Sequence, residues 1–160
     1  MSGLFVTAGS TVHIGGAKAF TGTDFTSSDF SGETWVEGGG LTNLGGVGDT
    51  SELITSEQIS RNRTRKAKGT RNAGSMELMF DIDYADAGQL AFIAAEKAKE
   101  SYAIKVTFND APSGGTPSER YFVALVMSAR EQYDEANSVM KLAVTLEVDS
   151  NVVRVAAAGA

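Results

Sequence analysis

The sequence predicts a mainly β fold, a barrel or sandwich with one flanking α-helix. Several stretches alternate apolar and polar residues at every second position, only one stretch combines helical composition with a capping signal, and glycine-rich clusters punctuate the rest. A chain of 160 residues fits one domain with a core of its own.

Residues 1–32 are rich in Gly, Ser and Thr, and only TVHIG at 11–15 reads as a strand. They are expected to be a flexible N-terminal arm that gains order by packing against something. Residues 33–57, ETWVEGGGLTNLGGVGDTSELITSE, alternate between glycine clusters, which suggests strands broken by turns or bulges. In SMELMFDID at 75–83, Met76, Leu78, Phe80 and Ile82 share one face, whereas Glu77, Asp81 and Asp83 share the other. Residues 86–100 form the predicted helix. Asp86 followed by Gln89 fits a capping pattern, and Leu90, Ile93 and Ala94 make its expected packing face. Strands follow at 101–110, 118–131 and 139–151. In the last, Met140, Leu142, Val144, Leu146 and Val148 alternate with Lys141, Thr145, Glu147 and Asp149. The organisation expected is an arm at 1–32, a single β-domain at 33–153 and a C-terminal tail at 154–160.

The formal charge is −6, yet residues 59–75, ISRNRTRKAKGTRNAGS, hold six of the 14 Lys and Arg and no carboxylate. Without Arg61, Arg63, Arg65, Lys66, Lys68 and Arg71, 8 bases face 20 acids, a balance of −12 on everything else. Such a body repels a phosphate backbone, which argues against general DNA binding by the fold. There is no cysteine, so disulfide and thiolate chemistry are excluded. The start lacks a basic region followed by a continuous apolar one, and no apolar run is long enough to span a bilayer, so a protein with no membrane association is expected.

Candidate chemistry is sparse. GTRNAGS at 69–75 has the glycines of a phosphate-binding loop, but Ser75 stands where that chemistry needs lysine and a strand is predicted to follow. GGVGDTS at 45–51 opens like a dinucleotide fingerprint, yet Ser51 replaces its last glycine and no helix begins there. His13 is the sole histidine, which removes any multi-histidine metal site. The carboxylates of DIDYAD are read as one strand face plus a helix cap rather than a cation cage. No catalytic, metal or cofactor site is expected, and the chain is read as not an enzyme.

The order and spacing of these segments carry a resemblance. ETWVEGGGLTNLGGVGDTSELITSE, then RTRKAKGTRNAGSMELMF, ADAGQLAFIAAE, YAIKVTFNDAPSGGTPSERYFVALVMSAREQ and VMKLAVTLEVDSNVVRVAA together resemble the major tail tube protein of long, non-contractile-tailed (siphovirus-type) bacteriophages. The resemblance spans roughly residues 33–156. It implies a tail-tube-type β-barrel or sandwich whose rings, typically hexameric, stack into the hollow tube through which the genome is ejected. It also implies a long loop between early strands that reaches a neighbouring subunit or ring, matched here by residues 59–74. The family implies tape measure, tail tip or distal tail, and tail terminator proteins as partners, transient passage of genomic DNA, and a place in the virion after assembly in the host bacterial cytoplasm.

With that resemblance the basic segment, Arg61 to Arg71, is read as an inter-subunit clamp. The alternative is a nucleic-acid-binding β-module using the same residues, which lacks the interleaved aromatics of stacking platforms. Glu77, Asp81, Asp83, Glu147 and Asp149 are the candidates for a negative lumen lining, although the same alternation fits solvation of an outer wall.

Overall fold

The computed structural model describes residues 4–159. Its strands are β1 (Thr11–Ala17), β2 (Val36–Glu37), β3 (Leu41–Asn43), β4 (Thr50–Gln58), β5 (Arg63–Asn72), β6 (Ser75–Asp81), β7 (Tyr102–Thr107), β8 (Glu119–Gln132), β9 (Lys141–Val148) and β10 (Val153–Val155). A 3-10 helix, Ser27–Phe30, and one α-helix, α1 (Ala87–Lys97), complete the set.

One antiparallel sheet runs β2-β1-β7-β8-β9-β6-β3, with β10 added to β8, while β4 and β5 form a separate ribbon. No pairing joins β2 to β3 among the described residues, so the sheet is open and the architecture sandwich-like rather than a closed barrel. The period-two pattern sets its faces. Met76, Leu78 and Phe80 of β6 lie buried beside Leu142, Val144 and Leu146 of β9, and Val12, Ile14, Ile104 and Phe122 continue the same core across β1, β7 and β8.

Helix α1 covers that core, but not with the face that hydrophobic spacing suggested. Leu90 is 48% exposed and Ala94 is also exposed, whereas Gly88, Gln89, Phe92 and Ala95 are buried and Ile93 is only partly so. Two features rotate the helix. A Cβ on Gly88 would lie 2.0 Å from the Glu37 carbonyl oxygen, so only glycine allows α1 to approach β2 this closely. Gln89 turns inward because its side chain serves three backbone groups: Oε1 accepts from the Asp83 amide (3.0 Å), and Nε2 donates to the carbonyls of Gly39 and Asp81 (each 2.8 Å). The Asp86 cap works as its spacing implied, its carboxylate accepting from the amides of Gln89 (2.9 Å) and Gly39 (3.0 Å). The helix ends at Lys97, three residues short of the expected end, and Ala98 is already extended.

Gln89→Leu is therefore expected to cost about 2–4 kcal/mol, since it strands buried donors and acceptors without opening a large cavity. Chemical denaturation would measure it, and a loss below about 0.5 kcal/mol would show that water replaces the amide.

The opposite face of the sheet is half covered. Phe30 packs on Ala103 and Val123, with Phe25, Trp35, Tyr121 and Val153 around it. Phe25 is tied to the far end of the chain through Asn151, whose Oδ1 accepts from the Phe25 amide (2.8 Å) and whose Nδ2 donates to its carbonyl (3.0 Å). The N-terminal 32 residues thus contribute β1 to the sheet and Phe30 to an apolar cluster, rather than lying wholly outside the folded unit. The C-terminal stretch likewise enters the sheet, Val153 to Val155 pairing with Tyr121 to Glu119.

His13 sits on β1, its side chain 18% exposed, with Nδ1 buried and lacking a hydrogen-bond partner. Burial and then the Lys105 ammonium lower its pKa from the ordinary 6.5, against the opposing pull of Glu37 and Glu119. A folded chain that resists protonation keeps its full stability above pH 6.5 and loses it as the unfolded chain takes up the proton below that value. Denaturation at pH 7.5 and 5.5 should therefore show a larger acid loss for the wild type than for His13→Gln. Equal losses would mean that His13 titrates normally in the fold.

Candidate assembly surface

The basic segment is ordered as half of a β-ribbon rather than as an irregular loop. Residues 59–62 turn the chain, with the amides of Arg61 and Asn62 donating to the Gln58 carbonyl (3.3 and 3.0 Å). Asn62 takes the left-handed conformation (φ 48) that its short polar side chain tolerates. Register then places Arg63, Arg65 and Ala67 opposite Gln58, Ser56 and Ile54, and Thr64, Lys66 and Lys68 opposite Glu57, Thr55 and Leu53. Basic side chains consequently line both faces.

Among the described residues, nothing covers this ribbon. Every residue of β4 and β5 is exposed except Ser51 and Gly69, which are intermediate. Leu53, Ile54 and Ile59 are 64%, 51% and 101% exposed. Among the described residues, the only ion pair made by the six basic residues joins Arg71 to Asp49 (2.5 Å) at the ribbon's base. Among the described residues, Arg61, Arg63, Arg65, Lys66 and Lys68 have no carboxylate partner. A two-stranded hairpin is marginal in water, so one that carries unpaired cations and bare aliphatic side chains is suited to an external partner. The apolar component was missed by a reading built on charge, although Ile59 alone in a polar run was a visible signal.

The acidic candidates do not form one cluster. Glu77 and Glu147 are exposed on the uncovered half of the sheet's outer face, where Glu77 opposes Thr145 and Glu147 opposes Ser75, making them diagonal neighbours. Asp81 shares that face but is engaged by Lys141 in an ion pair. Asp83 and Asp149 lie beyond the ends of β6 and β9, so neither belongs to the strand face that simple alternation gave it. Asp83 accepts from the Ala85 amide (3.0 Å), while Asp149 lines a cleft of about 300 Å³ with Asp24, Asp49 and Arg71 near the ribbon's base.

Among the described residues, no group of three or more His, Asp or Glu could hold a metal ion, and no helix is long and apolar enough to cross a membrane. GTRNAGS runs from the end of β5 into β6, a strand-turn-strand unit without the helix N-terminus that phosphate binding uses.

No protein-family model matches the chain, and no curated protein matches it. Solved structures do. The chain is similar to a chain of the anti-feeding prophage baseplate, with TM-score 0.71, 15% identity and 98% of both chains covered. It is similar to a chain of the sheath-tube complex of PVC, an extracellular contractile injection system, in its extended state (TM-score 0.66, 13% identity, 96% of this chain and 93% of that one). It is also similar to the SPP1 tail tube, with TM-score 0.63, 14% identity, and 91% and 75% coverage. At these identities the likeness is one of fold: this chain has the same mainly β fold, with one flanking helix, as proteins of phage and injection-system tubes.

Proposed function

We propose that the chain is a structural tube subunit that assembles into rings, six to a ring by family resemblance, which stack into the tail tube of a phage with a non-contractile tail. The observation that carries this reading is the projecting β4–β5 ribbon, with its unpaired cations and exposed Leu53, Ile54 and Ile59, on a fold shared with tube structures. The ribbon acts as the inter-subunit clamp, with Arg61, Arg63, Arg65, Lys66 and Lys68 meeting the acidic body of a neighbour. Arg71 holds the ribbon's base to Asp49 instead. In this role the protein resides in the virion, meets tape measure, tail tip and terminator proteins at the tube's ends, and performs no catalysis.

Electron microscopy of the purified protein at high concentration tests the reading. Rings or tubes are the expected result. A monodisperse monomer that shifts labelled DNA at physiological salt would instead establish a nucleic-acid-binding module.

The bore is assigned to the uncovered sheet face bearing Glu77 and Glu147, because a duplex carrying one negative charge per ~1.7 Å slides over a negative lining and sticks to a positive one. Asp81 on that face is taken by Lys141, and Asp83 and Asp149 lie beyond the strand ends. Glu77→Lys with Glu147→Lys is expected to permit tubes but slow genome ejection, more so at low ionic strength. Unchanged ejection kinetics would move this face to the outer wall.

A further inference from the structure

A second cleft, of about 440 Å³, opens beside the ribbon's base. Leu44, Met76, Val106 and Phe108 supply apolar lining; Arg71 and Asp49 at its edge pair with each other, which leaves Arg120 and Arg154 as its uncompensated charge. Arg120 and Arg154 face one another directly across the β8–β10 pairing, an arrangement of like charges that costs stability. No carboxylate relieves them by ion pairing among the described residues. Asp110, whose carboxylate acts on Arg120, has both oxygens engaged by Ser118, while among the described residues the Arg120 guanidinium hydrogen-bonds the Glu119 carbonyl and lies over the Phe108 ring. The cleft and the ribbon that adjoins it at Arg71 together carry eight of the 14 Lys and Arg.

The other end of β8 carries the opposite chemistry. Residues 130–140 are all exposed, so the β8–β9 turn stands clear of the body. It presents Glu131, Asp134 and Glu135, with Tyr133 55% exposed between them. The only cations flanking it are Arg130, and Lys141, which is taken by Asp81. Arg120 is the second residue of β8 and Tyr133 follows its end, a separation of about 40 Å along an extended strand. One copy therefore cannot bring its own turn to its own cleft.

We propose that the arginine-lined cleft is the receptor for the Tyr133–Glu135 turn of a second copy of this chain. Carboxylates of the turn meet Arg120 and Arg154, and the Tyr133 ring lies on the apolar lining. With knob and hole at opposite ends, copies joined end to end make a head-to-tail contact, which repeats as an open stack. The proposal rests on the assembly reading and names the surfaces that mate between rings.

The absence of cysteine allows a clean test. Glu135→Cys and Arg154→Cys proteins, carrying different mass tags, are mixed and oxidised under conditions in which the wild type is examined for tubes. A disulfide-linked mixed dimer exceeding both homodimers about tenfold is expected, since only the mixed pair brings the two thiols within bonding distance. In parallel, Glu135→Arg should slow assembly about tenfold, and adding Arg154→Glu to the same chain should restore it. Tubes from the wild type with only statistical cross-linking and no effect of the charge exchange would overturn the cleft proposal while leaving the tube reading in place. A mixed dimer without wild-type tubes would support the contact and refute the tube. Neither mixed dimers nor tubes would refute both.

Discussion

Changing Arg63, Arg65 and Lys66 together to Glu is expected to abolish polymerisation while shifting the monomer's melting temperature by no more than about 2 °C. The separation of the two effects follows from where these residues sit. All three are exposed, none has an ion-pair partner among the described residues, and their ribbon contributes nothing to the core cluster. Exposed charges of this kind each contribute about 0–1 kcal/mol to folding. Some local repulsion is expected between the new carboxylates and Glu57, which sits opposite Thr64 on the same face as position 66, but that strain stays within the ribbon. Across an interface the outcome differs, because three cations facing a body of charge −12 become three anions facing it. Sedimentation velocity and electron microscopy would read assembly, and thermal melting would read the fold. Normal tube formation by the triple variant at low salt would end the clamp assignment.

How much of this was legible in the sequence depended on whether burial or bonding placed the residue. The strands β6 and β9 were readable because each buries one face, so Met76, Leu78 and Phe80 announced themselves by period two. The α1 cap was readable because Asp86 and Gln89 carry a local hydrogen-bond code. The same Gln89 defeated the reading of the helix face, since its three side-chain bonds to backbone outside the helix, at Gly39, Asp81 and Asp83, have no sequence period and override the exposed Leu90. The β5 half of the ribbon was invisible as a strand for the converse reason. With neither face buried, nothing selects alternation, and RTRKAKGTRN reads as a charged loop. The charge asymmetry of the candidate surface could be counted directly. The facing of Arg120 and Arg154 required the register of β8 against β10, which no local pattern encodes.

The same distinction decides what residues 1–32 do, and Phe30→Ala is expected to cost about 3–5 kcal/mol, a large share of the roughly 5–15 kcal/mol that holds such a domain together. Phe30 is 1% exposed although it lies in a polar, serine-rich run that predicts no core. Its ring stacks on Tyr121 (centroids 5.3 Å apart, 19° between planes) and on Trp35 (6.5 Å, 28°), with the edge of Phe25 at 5.3 Å. Removing it opens a cavity that this aromatic shell cannot close, because Tyr121 is anchored by a hydrogen bond to Glu119 (2.9 Å) and Phe25 by Asn151. The covering over Ala103 and Val123 should then loosen. Amide exchange should speed up from Phe25 to Trp35, while β1, held by its own pairing with β7, keeps its protection. Phe5→Ala is the matched control. Phe5 is 72% exposed, so its loss should change stability by less than about 0.5 kcal/mol. Equal small effects for both substitutions would mean that the whole stretch before Trp35 is an arm dispensable to the monomer. A large effect confined to Phe30 would divide it near Ser10, into a short exposed leader and a segment without which the outer face of the sheet is bare.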